Sequence, residues 1–166
     1  MVLDILRKRN IPATFFLLGE NVCKYKEIVQ RIVYDGHTIG SHSYNHHSFW
    51  LRSKQFIIEQ IEKTDEILST VCGIVPTLFR PPFGALPPQV IKAANHCGKN
   101  IVLMSIDSGD YSDDNPSEIA DYVIQKIAIG DIVVFHDNKL TSKRIKSYLN
   151  TILDALQENN FNFNKL

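Results

Sequence analysis

Cysteine is scarce in this 166-residue chain, and its three copies, Cys23, Cys72 and Cys97, form no C-x-x-C pair. An odd number at that spacing excludes a disulfide framework and leaves buried or free thiols as the expectation. A surplus of one charge is also missing. Eighteen Lys+Arg balance eighteen Asp+Glu, and no basic stripe runs along the sequence, which argues against nucleic acid as the main partner. No apolar run approaches the length of a membrane span. Arg7-Lys8-Arg9 ahead of Ile11 to Leu18 is a faint echo of a signal peptide. Pro12 and Thr14 interrupt that stretch, however, and Gly19-Glu20-Asn21 is a poor cleavage site, so no export signal is read there and location stays open. Repeats, linkers and low-complexity segments are absent. The remaining composition, 44% hydrophobic and 22% charged, fits a single globular domain over residues 1–166. A chain of that size buries roughly two thirds of its unfolded surface.

Strand and helix patterns alternate from end to end. Met1 to Arg9 has helical spacing and lacks an N-cap, so it reads as the middle of a helix. Ala13 to Gly19 reads as a buried strand, Glu27 to Tyr34 as a helix, and His37 to Ser41 as a short strand. Ser53 to Ser69 is the clearest helix, with an apolar stripe opposite a charged face. Pro76 to Phe83 is expected to be a strand running into a loop in which Pro81 and Pro82 forbid helix. Pro87 to Cys97 follows as a helix, then a strand from Asn100 to Ile106 and a helix from Asn115 to about Ile129. The strand Ile132 to Phe135, a helix from Lys143 to Asn159 and the start of a last strand at Phe161 to Leu166 complete the pattern. Such alternation predicts an α/β fold with a parallel sheet or barrel.

The chemistry is expected just after the strands. His42 and His46 stand four positions apart, a spacing at which two imidazoles can meet on one side of a helical turn and share a metal ion. A wet surface loop rich in His is the alternative at this point. Arg80, the Asp107/Asp110 pair and His136 follow three further strands, and in parallel α/β folds such strand ends converge on the active site. Taken singly, Arg80 could pair a surface carboxylate, Asp107 or Asp110 could cap its loop, and His136-Asp137 could be a strand-end turn. Asp107 is read as such a cap, and His136 as functional.

In order, the motifs His42-Ser-x-x-His46, Arg80-Pro-Pro-Phe-Gly84, Asp107-Ser-x-Asp-Tyr111 and Val134-Phe-His136 resemble motifs two to five of the polysaccharide deacetylases, the NodB-homology carbohydrate esterases of family four. The resemblance implies a distorted (β/α) barrel and metal-dependent removal of N- or O-acetyl groups from polysaccharides such as peptidoglycan, chitin or xylan. It implies His42 and His46 as ligands of Zn²⁺ or another divalent ion (Co²⁺, Ni²⁺ or Mn²⁺). It further implies Arg80 as the residue orienting a catalytic carboxylate, and the Phe83 N–H as an oxyanion donor. His136 becomes the general acid, with Asp110 fixing its tautomer. Pro82 and Tyr111 become the walls of the sugar groove, Tyr111 standing where the family usually has Trp.

One motif of that family has no counterpart. Thr-Phe-Asp-Asp-Gly-Pro, which in the family supplies the catalytic base and a carboxylate ligand, is not found; Asp4, Asp35 and the Asp113-Asp114 pair lie in the wrong places. The site is therefore expected to have two protein ligands where catalytic zinc has three, and to lack its base. The family's first strand would be absent, leaving an incomplete barrel. A piece of a longer enzyme is the favoured explanation. A catalytically inactive relative that binds glycan or metal, and a two-His hydrolase acting on other amides, are the alternatives.

Overall fold

The structure, a computed structural model, describes residues 1–112 and 114–166. Asp113 lies outside the described residues. The chain forms two compact units, one of residues 12–103 with 165–166, the other of residues 1–11 with 104–164.

The larger unit contains the strands β1 (Thr14–Leu17), β2 (Thr38–Ser41), β3 (Leu78–Phe79) and β4 (Asn100–Ile101), hydrogen-bonded in that order and all parallel. Helix α1 (Val2–Arg9) belongs to the smaller unit. Here α2 (Gly19–Lys24), α3 (Lys26–Tyr34), α4 (Lys54–Cys72) and α5 (Pro88–His96) connect the strands. The α4 helix begins where the Ser53 hydroxyl accepts from the Phe56 N–H, and it ends at Gly73 in the left-handed conformation that a Cβ disfavours. Its apolar stripe supplies Ile57, Ile58 and Ile61, which pack with Phe79, Val90 and Ala93 into the core. Burying such aliphatic side chains contributes about 1.5–3 kcal/mol each. Gly40, inside β2, is required for packing rather than turning. A Cβ there would stand 2.5 Å from the Phe16 ring.

The smaller unit pairs β5 (Ile106–Asp107) with β6 (Val133–Val134), again in parallel. Helix α6 (Pro116–Lys126) opens on a capping box made by Asn115 and Glu118, and α7 (Ile145–Glu158) packs on both α6 and α1. Arg9 of α1 reaches Asp154, Gln157 and Asn150 of α7. No helix among the described residues is long and apolar enough to cross a membrane.

The expected parallel α/β class is present, with five departures. The strand expected over Asn100 to Ile106 is split between the two units, because the Val102 and Leu103 carbonyls accept from the Arg80 guanidinium instead of joining a ladder. The strand expected from Pro76 shrinks to Leu78–Phe79. The two prolines do not forbid helix altogether, since Pro82–Gly84 make a 3₁₀ turn with Phe83 at φ 60°. The helix expected to reach Ile129 stops at Lys126, where the Asp131 carboxylate takes the Ala128 N–H and turns the chain. No strand forms at Phe161 to Leu166. There, Leu166 is held by threonine side chains, its N–H donating to Thr14 Oγ1 and its carbonyl accepting from Thr38 Oγ1. The cysteines are all free thiols, as expected.

His37, just ahead of β2, ties acidity to the stability of this sheet. It is buried, its Nδ1 accepts the Ala13 N–H at 3.2 Å, and its Nε2 is buried without a partner. Burial is the largest influence on its pKa and lowers it, assisted by Lys165 and opposed by Asp35. The folded value lies below the unfolded one, so the unfolded chain takes up the proton first and stability falls as pH drops below about 6.5. Urea unfolding should show a midpoint that declines from about pH 7 to pH 5, and a flatter decline in His37→Gln. Equal slopes in the two proteins would exclude His37 as the source.

Candidate active site

Two groups of the expected site residues are assembled, one in each unit. In the larger unit the parallel register sets Ser41 beside Phe79, and the ladder continues through His42 N–H to the Leu17 carbonyl and Arg80 N–H to the Ser41 carbonyl. His42 and Arg80 therefore leave neighbouring strands side by side. His42 Nδ1 lies 2.6 Å from the Arg80 carbonyl. A carbonyl only accepts, so Nδ1 carries the proton and the lone pair of the neutral ring is on Nε2.

His46 reaches the same place by a route that spacing did not suggest. The segment is a loop leaving β2, and Ser43 (φ 69°) and His46 (φ 59°) both adopt left-handed backbone. Each costs roughly 1 kcal/mol or more, which the surroundings must offset. The buried Ser43 hydroxyl accepts the His46 N–H at 3.2 Å, and Gln60 Oε1 of α4 accepts the Tyr44 N–H. The first amides of α2, from Gly19 and Glu20, donate to the Ser43 and Tyr44 carbonyls. So held, the His42 and His46 rings meet edge to face with centroids 4.9 Å apart, and the Phe83 ring closes on His46 at 4.6 Å.

Arg80 is buried, and desolvation lowers its pKa to about 10, which leaves it a cation at neutral pH. Its Nε and Nη2 donate to the Val102 and Leu103 carbonyls, and its guanidinium lies 4.1 Å from the Phe16 ring centroid. No carboxylate pairs with it among the described residues. The loop beyond it exposes Phe83 and buries Pro82. The hydrogen bonds of this turn run from Gly84 N to Pro81 O and from Ala85 N to Pro82 O, and the Phe83 N–H takes no part in them.

In the smaller unit Asp110 is fully buried and acts as the anchor. Its Oδ1 lies 2.7 Å from His136 Nδ1, while Oδ2 accepts the His136 main-chain N–H and the Tyr148 hydroxyl, both at 2.8 Å. Burial works to raise the Asp110 pKa, but the His136 and Tyr148 donors outweigh it and hold the carboxyl below its usual range. With Nδ1 donating to a carboxylate, Nε2 is the atom of His136 left to take up or deliver a proton. The Tyr111 ring stands edge-on to His136 at 5.5 Å and is exposed. Asp107 behaves as the loop cap it was read to be, accepting the Gly109 N–H and the Tyr111 hydroxyl.

Two imidazoles 4.9 Å apart, one with its tautomer fixed by the Arg80 carbonyl, suit a divalent ion in part. No group of three or more His, Cys, Asp or Glu able to hold one occurs among the described residues. The profile of the family described as polysaccharide deacetylase matches residues 1–102. The chain belongs to the polysaccharide deacetylase family.

Among its relatives, the peptidoglycan-N-acetylglucosamine deacetylase PgdA of Listeria monocytogenes is 35% identical over 162 residues, covering 98% of this chain and 34% of that protein. The chitooligosaccharide deacetylase of Rhizobium leguminosarum bv. trifolii is 30% identical over 176 residues, 99% of this chain and 82% of the relative. The chain spans about a third to a half of the first curated relatives it matches. The solved Bc1960 peptidoglycan N-acetylglucosamine deacetylase superposes with a TM-score of 0.94 at 32% identity, over 99% of this chain and 78% of its own. A family-four pseudoenzyme of Bacillus anthracis, BA3943, superposes at 0.89 with 27% identity, over 99% and 57%. These matches bear out the expected family and its α/β fold.

Sequence reasoning missed the supports. Nothing in the sequence distinguishes Ser43, Gln60 or Phe16 as props of the motif residues, or Tyr148 from any other aromatic on a helix face. Removing the Ser43 hydroxyl should cost about 1 kcal/mol in urea unfolding. The His46 ring signals in NMR should broaden in Ser43→Ala, because the loop loses the bond that fixes its second imidazole. Unchanged stability and sharp signals would show that the α2 amides suffice.

Proposed function

We propose that residues 1–166 form a deacetylase domain hydrolysing acetyl groups on an N-acetylated (or O-acetylated) polysaccharide such as peptidoglycan or chitin, with a divalent ion held by His42 and His46. The observation that supports this reading is the His42 ring, whose Nδ1 donates to the Arg80 carbonyl and which lies edge to face with His46 at 4.9 Å. When bound, such an ion polarises the acetyl carbonyl and lowers the pKa of water, which suits amide hydrolysis near neutral pH.

The chain's own residues supply the rest. His136 protonates the departing amine from Nε2, with Asp110 holding the Nδ1 tautomer and favouring the charged ring. The Phe83 N–H offers a donor to the oxyanion on a loop stiffened by Pro81 and Pro82. Tyr111 and Phe83, both exposed, offer flat apolar faces to sugar rings. Arg80 keeps a buried positive charge ready to orient a carboxylate. Zn²⁺ is the ion expected, with Co²⁺, Ni²⁺ or Mn²⁺ as substitutes.

A second reading, a domain that binds glycan or metal without turnover, is favoured by the lack of a third ligand among the described residues. Acetate release from N-acetylglucosamine oligomers and from peptidoglycan, with and without added Zn²⁺, separates the two. Release that depends on metal supports the enzyme; metal uptake and glycan binding without release supports the second reading. The double variant His42→Ala/His46→Ala should lose metal in chelator competition, and full retention would sink the ligand assignment. His136→Ala should keep its metal and lose roughly 10²–10⁴-fold in turnover. A matching loss of metal would mean that His136 is a ligand and not the acid.

A further inference from the structure

Asp110 receives its donors from two directions, and only one of them is His136. We propose that Tyr148 is a positioning residue of the Asp110–His136 pair, its hydroxyl fixing which carboxylate oxygen serves the imidazole. The proposal rests on the reading of His136 as the proton donor.

The geometry divides the carboxylate cleanly. Oδ2 is occupied by the Tyr148 hydroxyl and the His136 main-chain N–H, both at 2.8 Å, which leaves Oδ1 for the ring Nδ1 at 2.7 Å. Tyr148 is fully buried, and its ring stacks on Phe135, the residue before His136, with centroids 5.9 Å apart and planes 21° from parallel. A phenylalanine would fill the same volume and make the same stack. The hydroxyl is therefore spent on the carboxylate alone. Four residues earlier, Arg144 donates to the main-chain carbonyls of Asp110, Ser112 and Asp114. Helix α7 and the residue that precedes it thus hold Asp110 by both its backbone and its side chain.

A donor on a carboxylate also draws charge away from its other partner. The Tyr148 hydroxyl stabilises the Asp110 anion and reduces the pull of Oδ1 on the imidazole proton, so it sets the proton affinity of His136 as well as its orientation. The other ionisable groups facing the pair stay in place when Tyr148 changes. Asp107 ends β5 and Tyr111 lies on the loop after it, and Tyr122 of α6 acts on Tyr111. Arg144 and Asp137 act on Tyr148.

NMR titration of the His136 ring in the intact chain tests this, with the signal assigned by comparison with His136→Gln. In Tyr148→Phe the His136 midpoint should rise by roughly half a unit or more, because the carboxylate loses a competing donor. Tyr148→3-fluorotyrosine keeps the ring and the hydroxyl but makes a stronger donor, and should move the midpoint down. A purely structural role would lower stability without shifting the two midpoints in opposite directions. Unchanged midpoints in the folded variants overturn the proposal, and the fluorinated variant decides alone if Tyr148→Phe does not fold. The titration needs no turnover, so a chain that releases no acetate would refute the catalytic reading and leave this result standing. In a chain that does release acetate, the alkaline limb of kcat should move up with the His136 midpoint in Tyr148→Phe while KM stays put.

Discussion

The chemistry of the larger unit depends on a single alignment, the pairing of Ser41 with Phe79 across two parallel strands. It sends His42 and Arg80 out of the sheet together, and the carbonyl of one then chooses the tautomer of the other. A slip of one residue would turn every side chain of a strand to the opposite face. The core beneath, with Phe79 packed against α4 and α5, makes that slip expensive. Register and tautomer are one constraint seen at two scales.

Both units solve the same electrostatic problem, a fixed charge out of water. Arg80 is surrounded by two carbonyl oxygens and an aromatic face, and Asp110 by an amide, a phenol and an imidazole. Arg80 has no carboxylate partner among the described residues, and Asp110 divides its charge among three donors. Dipoles of this kind are directional, so they hold a charge in one orientation, whereas a counter-ion tolerates a range of them. That suits the orienting roles proposed for Arg80 and Asp110.

The sequence was most legible where periodicity and punctuation agreed. The α4 helix was visible from its stripe, and the motif residues from their place after apolar runs. It was least legible where side chains take over main-chain partners. Arg80 ends β4 by claiming the Val102 and Leu103 carbonyls, and threonine hydroxyls stand in for a ladder at Leu166. Periodicity does not register such long-range bonds. His42 and His46 meet through left-handed backbone at Ser43 and His46, which their spacing of four does not show. The six-residue α2 helix was missed because it is too short to show a period, although its amides clamp the loop that bears both histidines.

Gly40 extends this dependence to a position with no chemistry of its own. With no Cβ in the way, the Phe16 ring lies against β2, and that ring is the surface on which the Arg80 guanidinium rests. The glycine is a spacer two steps removed from a charge. A change there would disturb the arginine first and the sheet second, so an inherited variant at this position would present as a defect in the behaviour of Arg80 while every motif residue still read as intact.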